Sequence, residues 1–157
     1  MQNKVLIVDF GSQYTQLIAR RIRELFIYCE ILPFNNLPED LNQYKAIVLS
    51  GSPFSVNQEN SPEINLKIIL GNIPVIAICY GAQLIAKSLN GKVENSNSRE
   101  YGRANLSFIE KDCKLFHNIK INNQVWMSHG DTITTLPDGA KVIASTDSVK
   151  NAAYSID

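Results

Sequence analysis

The residue best suited to covalent chemistry in this sequence is Cys79, which lies at the junction of two contrasting segments. Residues 74–78 before it are apolar and predict a fully buried strand. Residues 84–89 after it predict a helix, and the Asn-Gly pair at 90–91 is a typical helix stop. We therefore expect Cys79 in the turn that joins a strand to a helix, where a side chain can be presented for reaction.

Two small residues support this interpretation, because Ala77 and Gly81 lie two positions to either side of Cys79. A sharp strand-to-helix turn requires small residues there, since the two backbones approach closely. A thiol at a helix start faces amide protons, which favour the thiolate. Two interpretations remain open at this point: a nucleophile, or a buried core cysteine, since cysteine is among the most buried residue types.

A nucleophile that attacks a carbonyl carbon generates an oxyanion, which backbone N–H groups usually stabilise. The amide of Tyr80 is one candidate donor, and the turn at Gly51 and Ser52 offers a second. Serine serves as well as glycine there if only its backbone donates and its φ is negative. Taken alone, this turn is better explained as an ordinary connection after a strand.

A thiolate nucleophile usually works with a histidine base that a carboxylate or an amide orients. The sequence contains two histidines, His117 and His129. His129 follows a predicted strand and has Asp131 two residues later as a possible orienting group. The alternative is a loop at a strand end with a polar or partly exposed histidine. His117 lies in a stretch of peripheral character and is assigned no role.

The two remaining cysteines, Cys29 and Cys113, are far from Cys79 and from each other, and no CxxC pair is present. With only two histidines in addition, we expect no metal site. Unpaired cysteines in odd number fit a reduced, cytoplasmic setting. We also expect no signal peptide and no membrane span, because no apolar run approaches ~18 residues.

Composition narrows the classes of function. The chain has 157 residues, enough for one domain with a substantial core, which we expect to extend over residues 1–157. Basic and acidic residues balance at 15 each, whereas a nucleic-acid binder would carry a basic excess. The balance gives no support to a polybasic membrane patch either, so we expect neither nucleic acid nor membrane as a partner.

The first half alternates short apolar runs with helical patterns. Residues 15–26 predict an amphipathic helix with a solvated arginine cluster, and a proline near residue 62 predicts the start of another helix that continues to residue 70. Strands are predicted at 5–10, 28–32, 46–50 and 74–78. Buried strands that alternate with helices predict an α/β fold, a doubly wound and mostly parallel sheet flanked by helices.

The second half predicts an antiparallel β extension packed on the same sheet. Residues 93–99 are polar and predict a turn or an exposed loop. Further strands are predicted at 105–109, 124–127, 141–144 and 152–156, with no long helix between them.

The candidate site residues in the first half of the chain come directly after predicted strands. Gly11 and Ser12 follow the first predicted strand, Gly51 and Ser52 the third, and Cys79 the fourth. Ligands of open α/β sheets bind beyond the carboxyl ends of the strands, so these residues should meet at one edge.

The start of this edge carries two weaker signals. The triplet Asp9-Phe10-Gly11 matches the metal-binding triplet of protein kinases, but no kinase catalytic loop accompanies it. Gly11 and Ser12 after the first predicted strand could hold a phosphate at a helix N-terminus, but no glycine-rich phosphate motif is present, so nucleotide binding is weakly supported. We therefore expect Asp9 to accept hydrogen bonds from nearby amides.

Four segments together resemble the class I, or triad, glutamine amidotransferases. Residues 8–24 form the most specific of them and are most similar to the family member that serves purine-nucleotide synthesis. Residues 49–53 resemble the oxyanion loop, 78–83 the nucleophile elbow, and 125–131 the segment along the bound glutamine. The resemblance covers essentially the whole chain and implies a parallel sheet flanked by helices.

Residue by residue, the resemblance implies that Cys79 is the nucleophile and that the backbone amides of Ser52 and Tyr80 hold the oxyanion. Gly51 and Gln83 would contact the glutamine substrate. The implied reaction is hydrolysis of the glutamine side-chain amide through a γ-glutamyl thioester.

The resemblance also implies a second side of the site. Ser128, Gly130 and Asp131 would line the α-amino and α-carboxylate end of glutamine. The resemblance therefore assigns His129 to this glutamine-binding loop and not to the role of catalytic base. No cofactor is implied for this domain. The ammonia would pass to an ATP-pyrophosphatase synthetase domain or subunit, which uses ATP and magnesium.

Three departures from the family pattern stand out. Ser52 replaces a second glycine and would be strained if its φ were positive, and Ala82 replaces a bulkier residue. The family base and its orienting group belong to a His-x-Glu motif, and the sequence ends at Asp157 before such a motif. We therefore expect both to be absent and the isolated chain to hydrolyse glutamine poorly.

Three functions remain open from the sequence. The first is a glutamine-hydrolysing enzyme component. The second is a truncated, catalytically silent docking module for a synthetase partner. The third is another protein with a cysteine elbow, such as a redox sensor or a different hydrolase, and the resemblance of residues 8–24 argues against it.

Overall fold

Four short strands form a parallel sheet in the first half of the chain, as seen in a computed structural model that describes residues 4–157 apart from the side chains of 97–101. Two compact units are present, Met1–Ile85 and Ala86–Asp157, and this sheet belongs to the first. The strands are β1 (Lys4–Asp9), β2 (Tyr28–Pro33), β3 (Ala46–Leu49) and β4 (Val75–Ala77), in the order β2-β1-β3-β4. Every pairing is parallel, so the predicted α/β sheet is confirmed.

The helix after β1, α1 (Thr15–Glu24), packs on the sheet through a small apolar cluster. Its arginines face solvent, where Arg20 and Arg21 pair with Glu24. The helix prediction is confirmed, but the helix ends at Glu24, two residues earlier than predicted. Leu25 and Phe26 therefore lie beyond the last turn and are exposed. The buried cluster consists of Ile7, Ala19, Cys29 and Val48, with Val5, Ile18, Ile22 and Ile31 packed against it.

The prediction of full burial was wrong for β4, the strand that leads to the cysteine. Ile76 is 49% exposed and Ile78 just after the strand is 36% exposed. An apolar run is buried only where other elements cover it, and among the described residues β4 pairs with β3 alone. The apolar run therefore forms an edge strand.

The predicted helix at 61–70 is also absent. A single 3₁₀ turn, Leu66–Ile68, forms instead. The Asn65 side chain accepts the backbone N–H of Lys67 at 3.2 Å, and such a local side-chain bond competes with continuous helix. The proline and the apolar residues of this segment therefore do not suffice to form an α-helix.

The helix after β4, α2 (Tyr80–Ser88), ends as the sequence indicates. Asn90 adopts a left-handed φ of 65°, and the N–H of Gly91 donates to the carbonyl of Ala86 at 2.8 Å. This arrangement is a typical left-handed helix cap. The helix begins at Tyr80, so Cys79 immediately precedes its first turn.

The second unit contains an antiparallel sheet in the order β6-β5-β7-β8. Residues 93–99 lie inside β5 rather than in the predicted loop. The strands are β5 (Lys92–Ile109), β6 (Gln124–Thr135), β7 (Ala140–Thr146) and β8 (Ala153–Ile156), with one 3₁₀ turn at Lys114–Phe116.

Candidate active site

The turn after β3 contacts both the cysteine and the loop after β1. A methyl group built on Gly51 would lie 3.7 Å from Cβ of Cys79 and 3.5 Å from Oγ of Ser12. These residues follow the carboxyl ends of three neighbouring parallel strands. The predicted convergence at one edge of the sheet is therefore confirmed.

Cys79 has a φ of 48°, a left-handed conformation that is rare for a residue with a side chain. Holding such a residue there costs about 1–3 kcal/mol, and strain of this kind concentrates at functional sites. The residue is exposed, so the interpretation as a buried core cysteine is wrong. A strained, exposed cysteine between a strand and a helix is the geometry of a nucleophile elbow.

The expected preference for the thiolate does not appear in this structure. Atoms packed around the sulfur desolvate it, although the residue as a whole is exposed, and this raises the pKa of the Cys79 thiol above its ordinary value of 9.0. Desolvation disfavours the charged form. The amide protons at the start of α2 do not overcome it, so activation of this thiol requires a base or the substrate itself.

Gly81 is required at its position by the packing of α2 on β3. A methyl group there would lie 2.6 Å from Cβ of Leu49 and 3.0 Å from its carbonyl oxygen. The Gly81 N–H also donates to the carbonyl of Ser50 at 3.2 Å. The sequence prediction of a close backbone approach at this glycine is confirmed.

Two backbone donors next to the cysteine are free to bind an anion. Among the described residues, neither the N–H of Tyr80 nor that of Ser52 has a hydrogen-bond acceptor. Ser52 does not have a positive φ, so serine is tolerated there without strain. Both groups are the donors expected of an oxyanion hole.

The Tyr80 side chain anchors the start of α2. The residue is 1% exposed, its ring centroid lies 5.3 Å from that of Phe10, and its hydroxyl donates to the carbonyl of Pro62. Burial raises the pKa of the phenol above its ordinary value. Sequence reasoning pointed only to the backbone of Tyr80, because Phe10 and Pro62 are distant along the chain.

The loop after β1 is held by local hydrogen bonds. A carboxylate oxygen of Asp9 accepts the N–H of Gly11 at 2.9 Å and the hydroxyl of Thr15 at 2.8 Å. Oγ of Ser12 accepts the N–H of Tyr14 at 3.0 Å. The expected role of Asp9 as an acceptor at a strand end is confirmed, and the loop is fixed beside the Gly51 turn.

Gln83 lies on α2, one turn after the cysteine. It is 8% exposed, and its N–H donates to the carbonyl of Cys79 at 3.0 Å. This bond ties the first turn of the helix to the elbow. The contact of Gln83 with glutamine stays a prediction.

The other predicted substrate residues belong to the second unit. Ser128, His129, Gly130 and Asp131 lie within β6 rather than in the loop expected from the sequence, because the strand continues to residue 135. Asp131 is 8% exposed and lies opposite Asn95 of β5. Their roles toward glutamine, and the change of role for His129, stay predictions.

The structure adds two observations on other classes of site. Within residues 4–157, no three potential metal-ligating side chains come together among those that the structure describes. In the same part of the chain, no helix combines the length and the apolar character needed to cross a membrane.

Comparison with known proteins agrees with the geometry of the elbow. A family model for glutamine amidotransferase class-I matches residues 6–155. GMP synthase [glutamine-hydrolyzing] of Christiangramia forsetii is 60% identical over all 157 residues. The corresponding protein of Bacteroides thetaiotaomicron, GMP synthase [glutamine-hydrolyzing] 1, is 54% identical over the same length. The chain spans 31% of the length of each of these two relatives.

Solved structures give the same fold. A crystal structure from Thermoplasma acidophilum, provisionally described as one component of a GMP synthase, matches all of this chain and 79% of that one, with a TM-score of 0.83 and 26% identity. A glutamine amidotransferase from Thermotoga maritima matches 99% of this chain and 72% of that one, with a TM-score of 0.80 and 23% identity. With the strained cysteine, the close glycine and the free amides in place, this chain belongs to the class-I glutamine amidotransferases.

Proposed function

We propose that this chain is the glutamine-hydrolysing part of a GMP synthase. The observation that carries the proposal is the strained elbow at Cys79 with two free backbone donors beside it, in a chain 60% identical along its whole length to a relative named GMP synthase [glutamine-hydrolyzing]. The resemblance of residues 8–24 to the same enzyme supports it independently of the cysteine.

In the proposed reaction, the sulfur of Cys79 attacks the side-chain amide carbon of glutamine. The carbonyl oxygen becomes an oxyanion, which accepts hydrogen bonds from the N–H groups of Ser52 and Tyr80. The tetrahedral intermediate collapses, the C–N bond breaks, and ammonia leaves with the proton that a base has taken from the thiol. A γ-glutamyl thioester remains on the cysteine.

Water then attacks the thioester, and glutamate leaves with the thiol restored. The sum is glutamine plus water giving glutamate plus ammonia. Because burial raises the pKa of the Cys79 thiol, a base must remove its proton as the sulfur attacks. The family base in a His-x-Glu motif fits this requirement, and we assign no base among the described residues.

Substrate binding is assigned to two groups of residues. Gly51 and Gln83 lie next to the elbow and would contact the side-chain end of glutamine. Ser128, Gly130 and Asp131 would bind its α-amino and α-carboxylate groups, and a buried carboxylate such as that of Asp131 suits an ammonium group.

The ammonia would aminate XMP to GMP in an ATP-pyrophosphatase synthetase domain or subunit, with ATP and magnesium. The curated relatives are about three times as long as this chain, which leaves room for such a portion in them. No cofactor is proposed for the chain itself. Its free cysteines support a reduced, cytoplasmic setting.

The test compares glutamine and ammonium as nitrogen sources for the full-length protein that contains this sequence. We expect GMP formation from XMP and ATP with either glutamine or ammonium as the donor. Cys79→Ala should abolish the glutamine-dependent reaction and leave the ammonium-dependent one. Equal glutamine-dependent rates in both proteins would refute the proposed nucleophile, and a wild-type protein that uses ammonium alone would instead favour a silent docking module.

A further inference from the structure

The hydroxyl of Ser50 is fully buried between the ends of β1 and β3, with 0% of the residue exposed. Its oxygen accepts the N–H of Phe10 at 3.0 Å and donates its own proton to the carbonyl of Gly51 at 2.9 Å. A serine hydroxyl has a single proton to donate. The bond to Phe10 therefore leaves that proton committed to the Gly51 carbonyl.

The Gly51 carbonyl and the Ser52 N–H belong to one peptide group. Since no cis peptide occurs in the described residues, the two bonds point in opposite directions. A carbonyl held toward the buried hydroxyl therefore turns the Ser52 N–H away from it. That N–H has no acceptor within the described part of the chain.

We propose that Ser50 is a positioning residue for the oxyanion hole, which acts by fixing the orientation of the Gly51–Ser52 peptide. The inference rests on the proposed function, because it assumes that the Ser52 N–H receives the oxyanion. Glycine has unusual backbone freedom, so a peptide that follows Gly51 needs an external constraint. If this peptide turned over, a carbonyl oxygen would face the developing negative charge in place of a donor.

The backbone of Ser50 also forms a hydrogen bond next to the second proposed oxyanion donor, the N–H of Tyr80. Its carbonyl accepts the N–H of Gly81 at 3.2 Å, and its own N–H donates to the carbonyl of Val8 at 3.1 Å. Gly81 directly follows Tyr80, the other proposed oxyanion donor. One buried residue thus connects the end of β1, the turn after β3 and the first turn of α2.

The experiment uses Ser50→Ala in the complete protein. We expect kcat for glutamine hydrolysis to fall by about 10- to 100-fold, somewhat less than the loss of an oxyanion donor itself, with KM unchanged. Alkylation of Cys79 by iodoacetamide should keep its wild-type rate, because that displacement forms no oxyanion. Ser50→Thr, which keeps a hydroxyl, should recover most of the lost kcat.

A control removes a more exposed serine hydroxyl in the same unit that also accepts a backbone N–H. Oγ of Ser55 accepts the N–H of Asn57 at 3.1 Å, and we expect Ser55→Ala to leave kcat unchanged. An unchanged kcat in Ser50→Ala would overturn the inference. So would a parallel fall of kcat and of the alkylation rate, because it would mean that the thiol itself had moved.

A crystal structure of Ser50→Ala provides a readout that does not depend on activity. We expect the Gly51–Ser52 peptide to be turned over or present in two orientations. A single wild-type orientation would overturn the inference whether or not glutamine is the substrate. A wild-type protein that hydrolyses no glutamine would refute the proposed function and leave this structural test valid.

Discussion

Replacing Gly81 by alanine should separate activity from stability at the elbow. The new methyl group would lie 2.6 Å from Cβ of Leu49 and 3.0 Å from its carbonyl oxygen. Carbon atoms pack at about 3.5–4.0 Å, so the start of α2 must move by about 1 Å. The Leu49 carbonyl belongs to β3 and cannot rotate away as a side chain could.

The effect on stability is a balance of two terms. Overpacking costs about 1–3 kcal/mol, while alanine in place of glycine favours a helix by about 1 kcal/mol. We therefore expect Gly81→Ala to lower the free energy of unfolding by at most about 2 kcal/mol. The same 1 Å displacement moves Cys79 and the Tyr80 N–H, and misplacement of that size can cost about 100-fold in rate.

The assay pairs urea unfolding with kcat/KM for glutamine hydrolysis in the complete protein. Gly71→Ala is the matched control, because Gly71 has a φ of 81° and open space around its Cα. Alanine should cost about 1–2 kcal/mol there through left-handed strain and leave kcat/KM unchanged. The reasoning is refuted if Gly81→Ala keeps wild-type kcat/KM, or if both variants lose activity equally.

Two further predictions concern the pH dependence of alkylation and a partly buried hydrogen bond. Burial raises the pKa of the Cys79 thiol, so the rate at which iodoacetamide alkylates this cysteine in the isolated chain 1–157 should still be rising at pH 9. The rate measured for Cys79→Ser is subtracted as background. A plateau below pH 9 would contradict the raised pKa. The Tyr44 hydroxyl donates to a carboxylate oxygen of Glu30 at 2.8 Å, so Tyr44→Phe should lower the free energy of unfolding by about 1 kcal/mol without changing kcat. Chemical denaturation measures this loss, with the exposed Tyr14→Phe as control, and equal stability of the two variants would count against the contact.

The sequence predicted the structure correctly where neighbouring residues in the chain determine it. The apolar run before Cys79, the small residues around it and the helix stop at residues 90–91 are local signals, and each led to a correct element. The sharp turn also predicted a small residue at position 81, although the atoms that exclude a side chain there belong to the distant Leu49. The left-handed φ of 48° at Cys79 was not predicted, because the sequence indicated a sharp turn but not its backbone angles.

The helix predicted at 61–70 failed for a local reason, the bond from Lys67 N–H to the Asn65 side chain, but the errors around the elbow arose where distant residues decide the outcome. The exposure of Ile76 depends on which strands pair with β4, and an apolar run does not encode that. Ser50 was overlooked because its hydroxyl binds Phe10, which is 40 positions away in the chain. The pKa of the Cys79 thiol was expected to fall because helix amides were considered without the atoms that desolvate the sulfur.

The central claim is that the Cys79 sulfur and the N–H groups of Ser52 and Tyr80 act together on one carbonyl group. A crystal structure of the complete protein inactivated by a chloroketone analogue of glutamine tests it most directly. We expect a covalent bond to Sγ of Cys79, with the ketone oxygen about 2.7–3.1 Å from both backbone nitrogens. Attachment to another cysteine, or a ketone oxygen directed away from both amides, would contradict the claim.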